Sequence, residues 1–193
     1  MSFTDNFGNP QGLLGRLMLV TMEREHLPMA KWAFTQFEVP QNGKILDIGC
    51  GGGYNVKRLL EKSAGAKVLG MDISEESVKK AKKINKAEIG NRCQIVQGSA
   101  EEMPFEDGEF ALVTAFFWKN IEKCFAEVHR LLSHGGKFVV INNYGDPKID
   151  WEKKVPCMKR RTAEEIKSLM EKAGFSKIKI AEKGRLFCLE GEK

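Results

Sequence analysis

The sequence predicts an α/β fold built on a doubly wound, mostly parallel sheet. From residue 44 onward, short apolar runs of strand length alternate with helical patterns, which is typical of parallel strands joined by right-handed crossovers. The last two apolar runs are joined too closely for a crossover, so one of the final strands must run antiparallel. A length of 193 residues with 42% hydrophobic and 30% charged residues suits one soluble globular domain.

Seven segments have the length and the apolar content of strands. In chain order they are 44–49, 67–73, 93–98, 110–117, 137–143, 176–182 and 185–191. The first five are separated by enough residues for a helix or a long loop. The sequence "SHGG" before the fifth segment is interpreted as a turn, and Lys183-Gly184 as the tight connection between the last two strands.

Helical patterns fill most of the gaps between these strands. One helix is predicted over about 53–64, and a second is opened by Ser74. The best marked helix begins at Thr162, which forms a capping box with Glu165, and ends at Gly174. A further helix has one apolar face, made of Ile121, Cys124, Phe125, Val128, Leu131 and Leu132.

Charge and cysteine content limit the class of protein. The formal net charge is +5, and residues 148–193 hold 13 Lys and Arg against 8 Asp and Glu, so this segment accounts for the whole excess. The cysteines form no C-x-x-C pair and show no metal-ligand spacing, and their number is odd; they are Cys50, Cys93, Cys124, Cys157 and Cys188. We therefore expect reduced thiols, a cytoplasmic protein and no bound metal. The early run "LLGRLMLV" is too short to span a bilayer and lacks a signal-peptide cleavage site.

The segment "ILDIGCGGGYN" at 45–55 is the most informative stretch of the chain. It places a glycine-rich turn after the first strand and before a helix, at the sheet edge where ligands bind in open α/β folds. Glycines there permit close approach of backbone to a ligand, and the helix N-terminus favours anions. A dinucleotide fingerprint would need glycine at position 54, where this chain has Tyr54. Taken alone, such a turn also occurs purely for packing.

The pattern Asp47-x-Gly49-x-Gly51-x-Gly53 resembles motif I of class I S-adenosylmethionine-dependent methyltransferases. Three further blocks resemble the same family in the same order: "GMDIS", "VQGSAEEMPFEDGEFALV" and "EVHRLLSHGGKFVVIN". Together they cover residues 44–143, and they are closest to the small-molecule branch called methyltransferase type 11. The resemblance implies a Rossmann-like sheet with strand order 3-2-1-4-5-7-6, in which strand 7 is antiparallel.

The resemblance also implies S-adenosyl-L-methionine as cofactor, with S-adenosyl-L-homocysteine as product. Asp47 and the backbone of the glycine turn would then serve the methionine end, together with the backbone at Phe116. Asp72 would accept hydrogen bonds from the ribose hydroxyls, although alone it could simply favour the N-terminus of the next helix. Around the adenine we expect Ile73, Ser99, Ala100 and Glu101.

No catalytic constellation is visible, and methyl transfer from a sulfonium does not require one. The catalytic residue is therefore unknown; His26 is a candidate base, but a surface histidine near a helix end is the simpler interpretation. Candidates for the acceptor pocket, some of which could instead be core residues, are Phe117, Trp118, Tyr144 and Trp151.

Residues 1–40 precede the alternating strands and helices. They are predicted to form a helical lid on the methyltransferase domain of residues 41–193. Helix-like stretches run over about 10–24 and 29–37. The first has an apolar face that we expect to be covered by docking over the strand ends, formed by Leu13, Leu14, Leu17, Met18 and Thr21.

The predicted function is methyl transfer to a small-molecule acceptor by a monomer or homodimer, without a nucleic-acid or membrane partner. One alternative is an RNA or protein methyltransferase that uses the basic loop at 153–161, which is otherwise a solvated surface. The other alternative is a non-catalytic nucleotide-binding regulatory module that keeps only the fold.

Overall fold

A computed structural model describes residues 11–115, 120–146, 148, 150, 153 and 160–193 of the chain. Its sheet has seven strands: β1 (Lys44–Ile48), β2 (Lys67–Asp72), β3 (Cys93–Gln97), β4 (Phe110–Ala115), β5 (Leu132–Asn143), β6 (Ser176–Lys183) and β7 (Leu186–Glu192). Their order is β3-β2-β1-β4-β5-β7-β6. Neighbouring strands from β3 to β5 are parallel, whereas β7 is antiparallel to both β5 and β6. The predicted strand order and the antiparallel β7 are confirmed.

The described helices cover both faces of the sheet. They are α1 (Gly12–Ala33), α2 (Tyr54–Lys62), α3 (Glu75–Ile84), α4 (Ile121–Leu131) and α5 (Ala163–Lys172). One apolar core joins α1, α2 and α3 to the sheet, and a second joins α4 and α5 to the opposite face. Successive side chains of β1 point to opposite faces of the sheet, so Ile45 belongs to the first core and Leu46 to the second.

Two predicted helix starts are confirmed in atomic detail. The Ser74 hydroxyl accepts a hydrogen bond from the Ser77 backbone N–H. Thr162 and Glu165 form the reciprocal capping box, and Gly174 has the left-handed φ of +99° that favours glycine after a helix.

Strand β5 begins five residues before its predicted start at residue 137. Leu132 already pairs with Phe110 of β4, and the next paired residues are Leu112 and Lys137, so "SHGG" forms an irregularity inside the strand rather than a preceding turn. Gly136 is required there, because a Cβ would lie 2.8 Å from the Ser133 carbonyl oxygen.

The N-terminal segment forms one helix instead of two stretches. Helix α1 continues through Pro28, and the residues that follow it, Met29, Ala30 and Ala33, are buried in the core. This packing holds the helix together despite the hydrogen bond that a proline cannot donate. Two residues of the expected apolar face are exposed, Leu17 (67%) and Thr21, whereas Leu19 is buried. The side chains of Leu13, Leu14 and Met18 lie outside the described part of the helix.

Four cysteines, Cys50, Cys93, Cys124 and Cys188, are buried free thiols, and Cys157 lies outside the described residues. Burial raises the pKa of Cys93 to about 11 and that of Cys124 to about 12. Within the described ranges, no helix combines the length and apolar content needed to cross a membrane.

The close packing of α3 against the turn at Gly53 gives a test of the fold. Gly53 and Gly90 share a φ of +83°, but a Cβ at Gly53 would lie 2.8 Å from Ala81, whereas a Cβ at Gly90 would meet nothing within 4 Å. We predict that Gly90→Ala lowers the free energy of unfolding by about 1–2 kcal/mol through backbone strain. Gly53→Ala lowers it by about 1–3 kcal/mol more, because the added methyl group overpacks the helix contact.

Urea denaturation of both variants measures this difference. Equal losses of stability in the two variants would contradict the packing role of Gly53.

Candidate functional site

The glycine turn (residues 49–53) has one open side at the carboxyl end of β1. Gly49 and Gly51 have φ angles of +69° and +52°, and a Cβ at either position would meet no atom within 4 Å. The backbone N–H groups of Gly49 and Cys50 both donate to the Met71 carbonyl oxygen, at 2.8 and 3.0 Å, which fastens the turn to β2. The first half of the turn therefore offers fixed backbone to a ligand.

The second half of the turn is closed by helices. A Cβ on Gly52 would overlap the Glu23 carboxylate of α1 and crowd the Lys80 side chain of α3, and Gly53 lies directly on Ala81. The Asn85 amide donates to the Gly53 carbonyl oxygen at 3.0 Å. Packing alone thus explains Gly52 and Gly53, but it does not explain Gly49 and Gly51.

Asp72 joins the glycine turn to the end of β2. Its Oδ2 accepts from the Gly51 backbone N–H at 2.8 Å, and its Oδ1 accepts from the Ser74 backbone N–H at 2.9 Å. Burial raises the pKa of Asp72, and hydrogen bonds from the Ser74 and Gly51 backbone and from the Ser77 side chain oppose this shift. Since a carboxylate has about four acceptor positions and three are used, about one position is left for a ligand donor.

Asp47 is fully buried at the end of β1. Its Oδ1 accepts from the Thr114 hydroxyl at 2.6 Å, while its Oδ2 is buried with no hydrogen-bond partner in the described part of the chain. Burial raises the pKa of this carboxyl group to about 7; the hydrogen bond from Thr114 opposes the shift and the charge of Asp72 adds to it. A buried oxygen without a hydrogen-bond partner lowers the stability of the fold. The Asp47 Oδ2 therefore indicates a position where a ligand donates a hydrogen bond.

The loop after β3 completes this edge. The Gly98 backbone N–H donates to the Asp72 carbonyl oxygen at 3.0 Å, and the Ser99 hydroxyl accepts from the Glu101 backbone N–H at 3.2 Å. Ile73 beside them is 50% exposed, and its carbonyl oxygen accepts from the Gln97 side chain at 3.0 Å. The structure thus brings Asp72 and Ile73 to the same edge as Ser99, Ala100 and Glu101, which are partly exposed.

Three of the four predicted acceptor-pocket residues lie outside the described ranges; they are Phe117, Trp118 and Trp151. Phe116, whose backbone was expected to serve the cofactor, lies outside them as well. Tyr144 packs its ring on Phe187 with the ring centroids 4.7 Å apart, and its hydroxyl donates to Glu182 of β6. His26 is half-buried on α1, three residues after Glu23.

Three residues of this region were missed by sequence reasoning. Thr114 faces Asp47 because the register of β1 and β4 pairs these two residues, and this follows only from the strand order. Glu23 of α1 and Lys80 of α3 form an ion pair of 2.7 Å beside Gly52, and the Glu23 Oε1 is buried without a partner in the described residues. No local pattern links residues that are 57 positions apart.

The donor set at this edge fits one class of ligand. An Asp47 carboxylate oxygen without a partner in the described residues suits a cation, and the remaining acceptor position on Asp72 suits a hydroxyl. The N–H groups of Gly49 and Gly51 are already paired, but the open space beside these glycines lets a ligand lie against the backbone. An amino acid joined to a nucleoside carries both a cation and hydroxyl groups.

Comparison with known proteins agrees with this fit. Residues 45–136 match the family described as "Methyltransferase domain". The demethylmenaquinone methyltransferase of Staphylococcus saprophyticus is 31% identical over 71% of the chain and 60% of its own length. The sterol 4-C-methyltransferase strm-1 of Caenorhabditis elegans is 34% identical over 54% of the chain and 32% of its own length. The chain thus spans less than two thirds of these curated relatives.

The fold has close counterparts among solved structures. A SAM-dependent methyltransferase from Aquifex aeolicus superposes with a TM-score of 0.74 at 17% identity, covering 91% of this chain and 96% of that one. The matched segment begins at β1 and includes the glycine turn, Asp72 and the loop after β3. Residues 45–136 are therefore a methyltransferase domain of the class I S-adenosylmethionine-dependent kind.

Proposed function

We propose that this chain is an enzyme that transfers a methyl group from S-adenosylmethionine to a small-molecule acceptor. The observation that carries the proposal is the Asp72 carboxylate, which ties the open half of the glycine turn to β2 at the sheet edge and has about one acceptor position left for a ligand. Family membership and the names of the relatives, which act on a sterol and on demethylmenaquinone, support a small molecule as acceptor.

Each end of the cofactor has residues suited to it. Asp47 holds the ammonium of the methionine end through its partnerless oxygen, and the backbone at Gly49 and Gly51 faces the carboxylate. Asp72 accepts from the ribose hydroxyls. The base lies against Ile73, with Ser99, Ala100 and Glu101 along its polar edge.

Bound S-adenosylmethionine would supply an electrophilic methyl carbon for in-line attack by the acceptor, with S-adenosylhomocysteine as the leaving group. The chain itself must align the acceptor and exclude water, and it needs a base only when the attacking atom carries a proton. His26 remains a candidate for that base. Phe117, Trp118, Tyr144 and Trp151 remain candidates for the acceptor pocket.

Helix α1 acts as a lid over this edge. Its Glu23 lies on Gly52 and pairs with Lys80, and its Met29 contacts the Asn143 side chain at the carboxyl end of β5. The helix therefore crosses from β5 to α3 above the ends of the central strands. A helix in this position closes the methionine end of the cofactor from water.

The first prediction concerns cofactor binding and turnover. Asp72→Ala should weaken binding of S-adenosylhomocysteine by about 2–4 kcal/mol, because charge-assisted hydrogen bonding to the ribose and the tie to the Gly51 backbone are both lost. Glu75→Ala is the matched control. It removes an exposed carboxylate from the start of α3, the helix that follows Asp72, and leaves the site intact. Isothermal titration measures the affinities.

A sterol, a demethylated quinone and a metabolite extract are then offered as acceptors, and release of S-adenosylhomocysteine is followed. Preference for NAD over both cofactor forms would contradict the proposal, as would binding without turnover on any acceptor.

The second prediction concerns the lid. Glu23→Lys places a positive charge beside Lys80, so α1 should lift from α3 and the affinity for S-adenosylmethionine should fall by roughly fivefold. Combining Glu23→Lys with Lys80→Glu restores an ion pair and should restore the affinity. Lys79→Glu serves as control because its exposed side chain pairs within α3. Unchanged affinity in Glu23→Lys would remove the lid role from α1.

The third prediction concerns the proton on Asp47. The folded-state pKa of about 7 lies above the ordinary value of 3.8, so the unfolded chain releases this proton first as the pH rises. The free energy of unfolding should therefore fall between about pH 4 and pH 7, by at most about 1.4 kcal/mol per pH unit. Asp47→Asn keeps an oxygen that can accept from Thr114 but cannot ionise, so without cofactor it should be more stable than the wild type at pH 8.

Binding of the cofactor should become more favourable as the pH rises, because its ammonium favours the ionised form of the Asp47 carboxylate. Its affinity for the wild type should rise from pH 5 to pH 7 and should be lower and nearly constant in Asp47→Asn. Urea unfolding and isothermal titration at matched pH values test both statements, and a loss of stability at pH 8 in Asp47→Asn would refute the first.

A further inference from the structure

Arg130 in the last turn of α4 uses all of its hydrogen-bond donors. Its Nε and Nη2 donate to the two carboxylate oxygens of Glu127, at 3.0 and 2.9 Å. Its Nη1 donates to Asp107 at 2.6 Å and to the Phe105 carbonyl oxygen at 2.9 Å, and its Nη2 also donates to the Met103 carbonyl oxygen at 3.1 Å. An arginine has five N–H donors, and each has a partner here.

Three of these partners belong to the β3–β4 loop (residues 98–109). Glu127 adds a fourth attachment by accepting from the Met103 backbone N–H at 3.1 Å. The Met103 side chain is buried, and the Phe105 ring packs edge-on against Phe110 at 5.4 Å. The second half of the loop is thus fixed to α4 by hydrogen bonds from the planar, charged guanidinium group of Arg130 rather than by regular secondary structure.

The first half of the same loop carries the residues at the site edge. It begins where the Gly98 backbone N–H donates to the Asp72 carbonyl oxygen at 3.0 Å. Ser99, Ala100 and Glu101 follow, and only Glu102 separates them from Met103. The segment is therefore held at both ends, by β2 on one side and by Arg130 on the other.

We propose that Arg130, through its bonds to Met103, Phe105 and Asp107, positions residues 99–101 so that the site discriminates the base of its cofactor. Arg130 contacts neither cofactor nor acceptor and acts through the loop alone. The inference rests on the proposed function, since it assumes that a nucleoside lies against residues 99–101. A lysine in place of Arg130 keeps the charge but has three donors at one point, so it cannot hold two carbonyls and two carboxylates at once.

Base discrimination gives a readout that a loss of general stability would not change. S-Adenosylhomocysteine carries an exocyclic amino donor on its base, and S-inosylhomocysteine carries a carbonyl oxygen at that position. With acceptors held in place at residues 99–101, the wild type should bind the adenine ligand about tenfold more tightly, which corresponds to one hydrogen bond. In Arg130→Lys the ratio of the two dissociation constants should fall towards one, and amide exchange at Met103 and Phe105 should become faster.

Arg92→Lys is the matched control. Arg92 also bonds two carbonyl oxygens, of Leu60 and Ser63, and one carboxylate, of Glu88, but it lies at the opposite edge of the sheet next to the start of β2. This variant should keep the wild-type ratio.

The outcomes separate the two proposals. If the wild type binds neither ligand, the proposed function fails, whereas an unchanged ratio in Arg130→Lys with normal binding overturns the positioning role alone. Should Arg130→Lys not fold, Glu127→Gln decides in the same assay, because an amide has one accepting oxygen where Glu127 uses two, so at least one bond to Arg130 or to the Met103 backbone is lost. A wild-type ratio in that variant likewise rejects the proposal.

Discussion

The hydrogen bonds from Gly51 and Ser74 to the Asp72 carboxylate are the constraint on which the rest of the site depends. They join the turn after β1, the end of β2 and the first turn of α3 in one cluster. The Gly98 N–H then attaches the β3–β4 loop to the same residue. A single residue at the end of β2 therefore fixes three loops, two through its carboxylate and one through its backbone carbonyl, that the topology alone would only bring near each other. Its burial disfavours the charged form, and the hydrogen bonds from Gly51, Ser74 and the Ser77 side chain offset that cost in part.

The same edge contains groups that are arranged at the expense of stability. The buried Asp47 carboxyl has one oxygen without a partner and a pKa near 7. The Glu23 carboxylate also has a buried oxygen without a partner in the described residues, although its other oxygen pairs with Lys80. Both oxygens lie at the glycine turn, where no packing requirement explains them. A site that must receive a ligand with a positive charge is a physical reason for keeping such groups.

Much of the fold could be predicted from the sequence because its signals are local. The apolar runs, the Ser74 cap and the Thr162–Glu165 capping box each depend on neighbours within a few residues. The cofactor-side residues from Asp47 to Glu101 followed from motif order, and the structure brings them to one edge. The predictions that were wrong concern features that tertiary contacts determine. Strand β5 starts at Leu132 because β4 pairs with it there, and α1 passes through Pro28 because the residues beyond it are buried.

The contacts that escaped prediction share one property: each joins residues far apart in the chain through polar side chains. Thr114 reaches Asp47 across 67 positions, Lys80 reaches Glu23 across 57, and Arg130 reaches Phe105 across 25. Such contacts depend on which strands and helices lie side by side, so no short stretch of the sequence indicates them. Substitutions in these pairs should therefore disturb ligand recognition more than the fold, because the sheet and its two apolar cores do not rely on them.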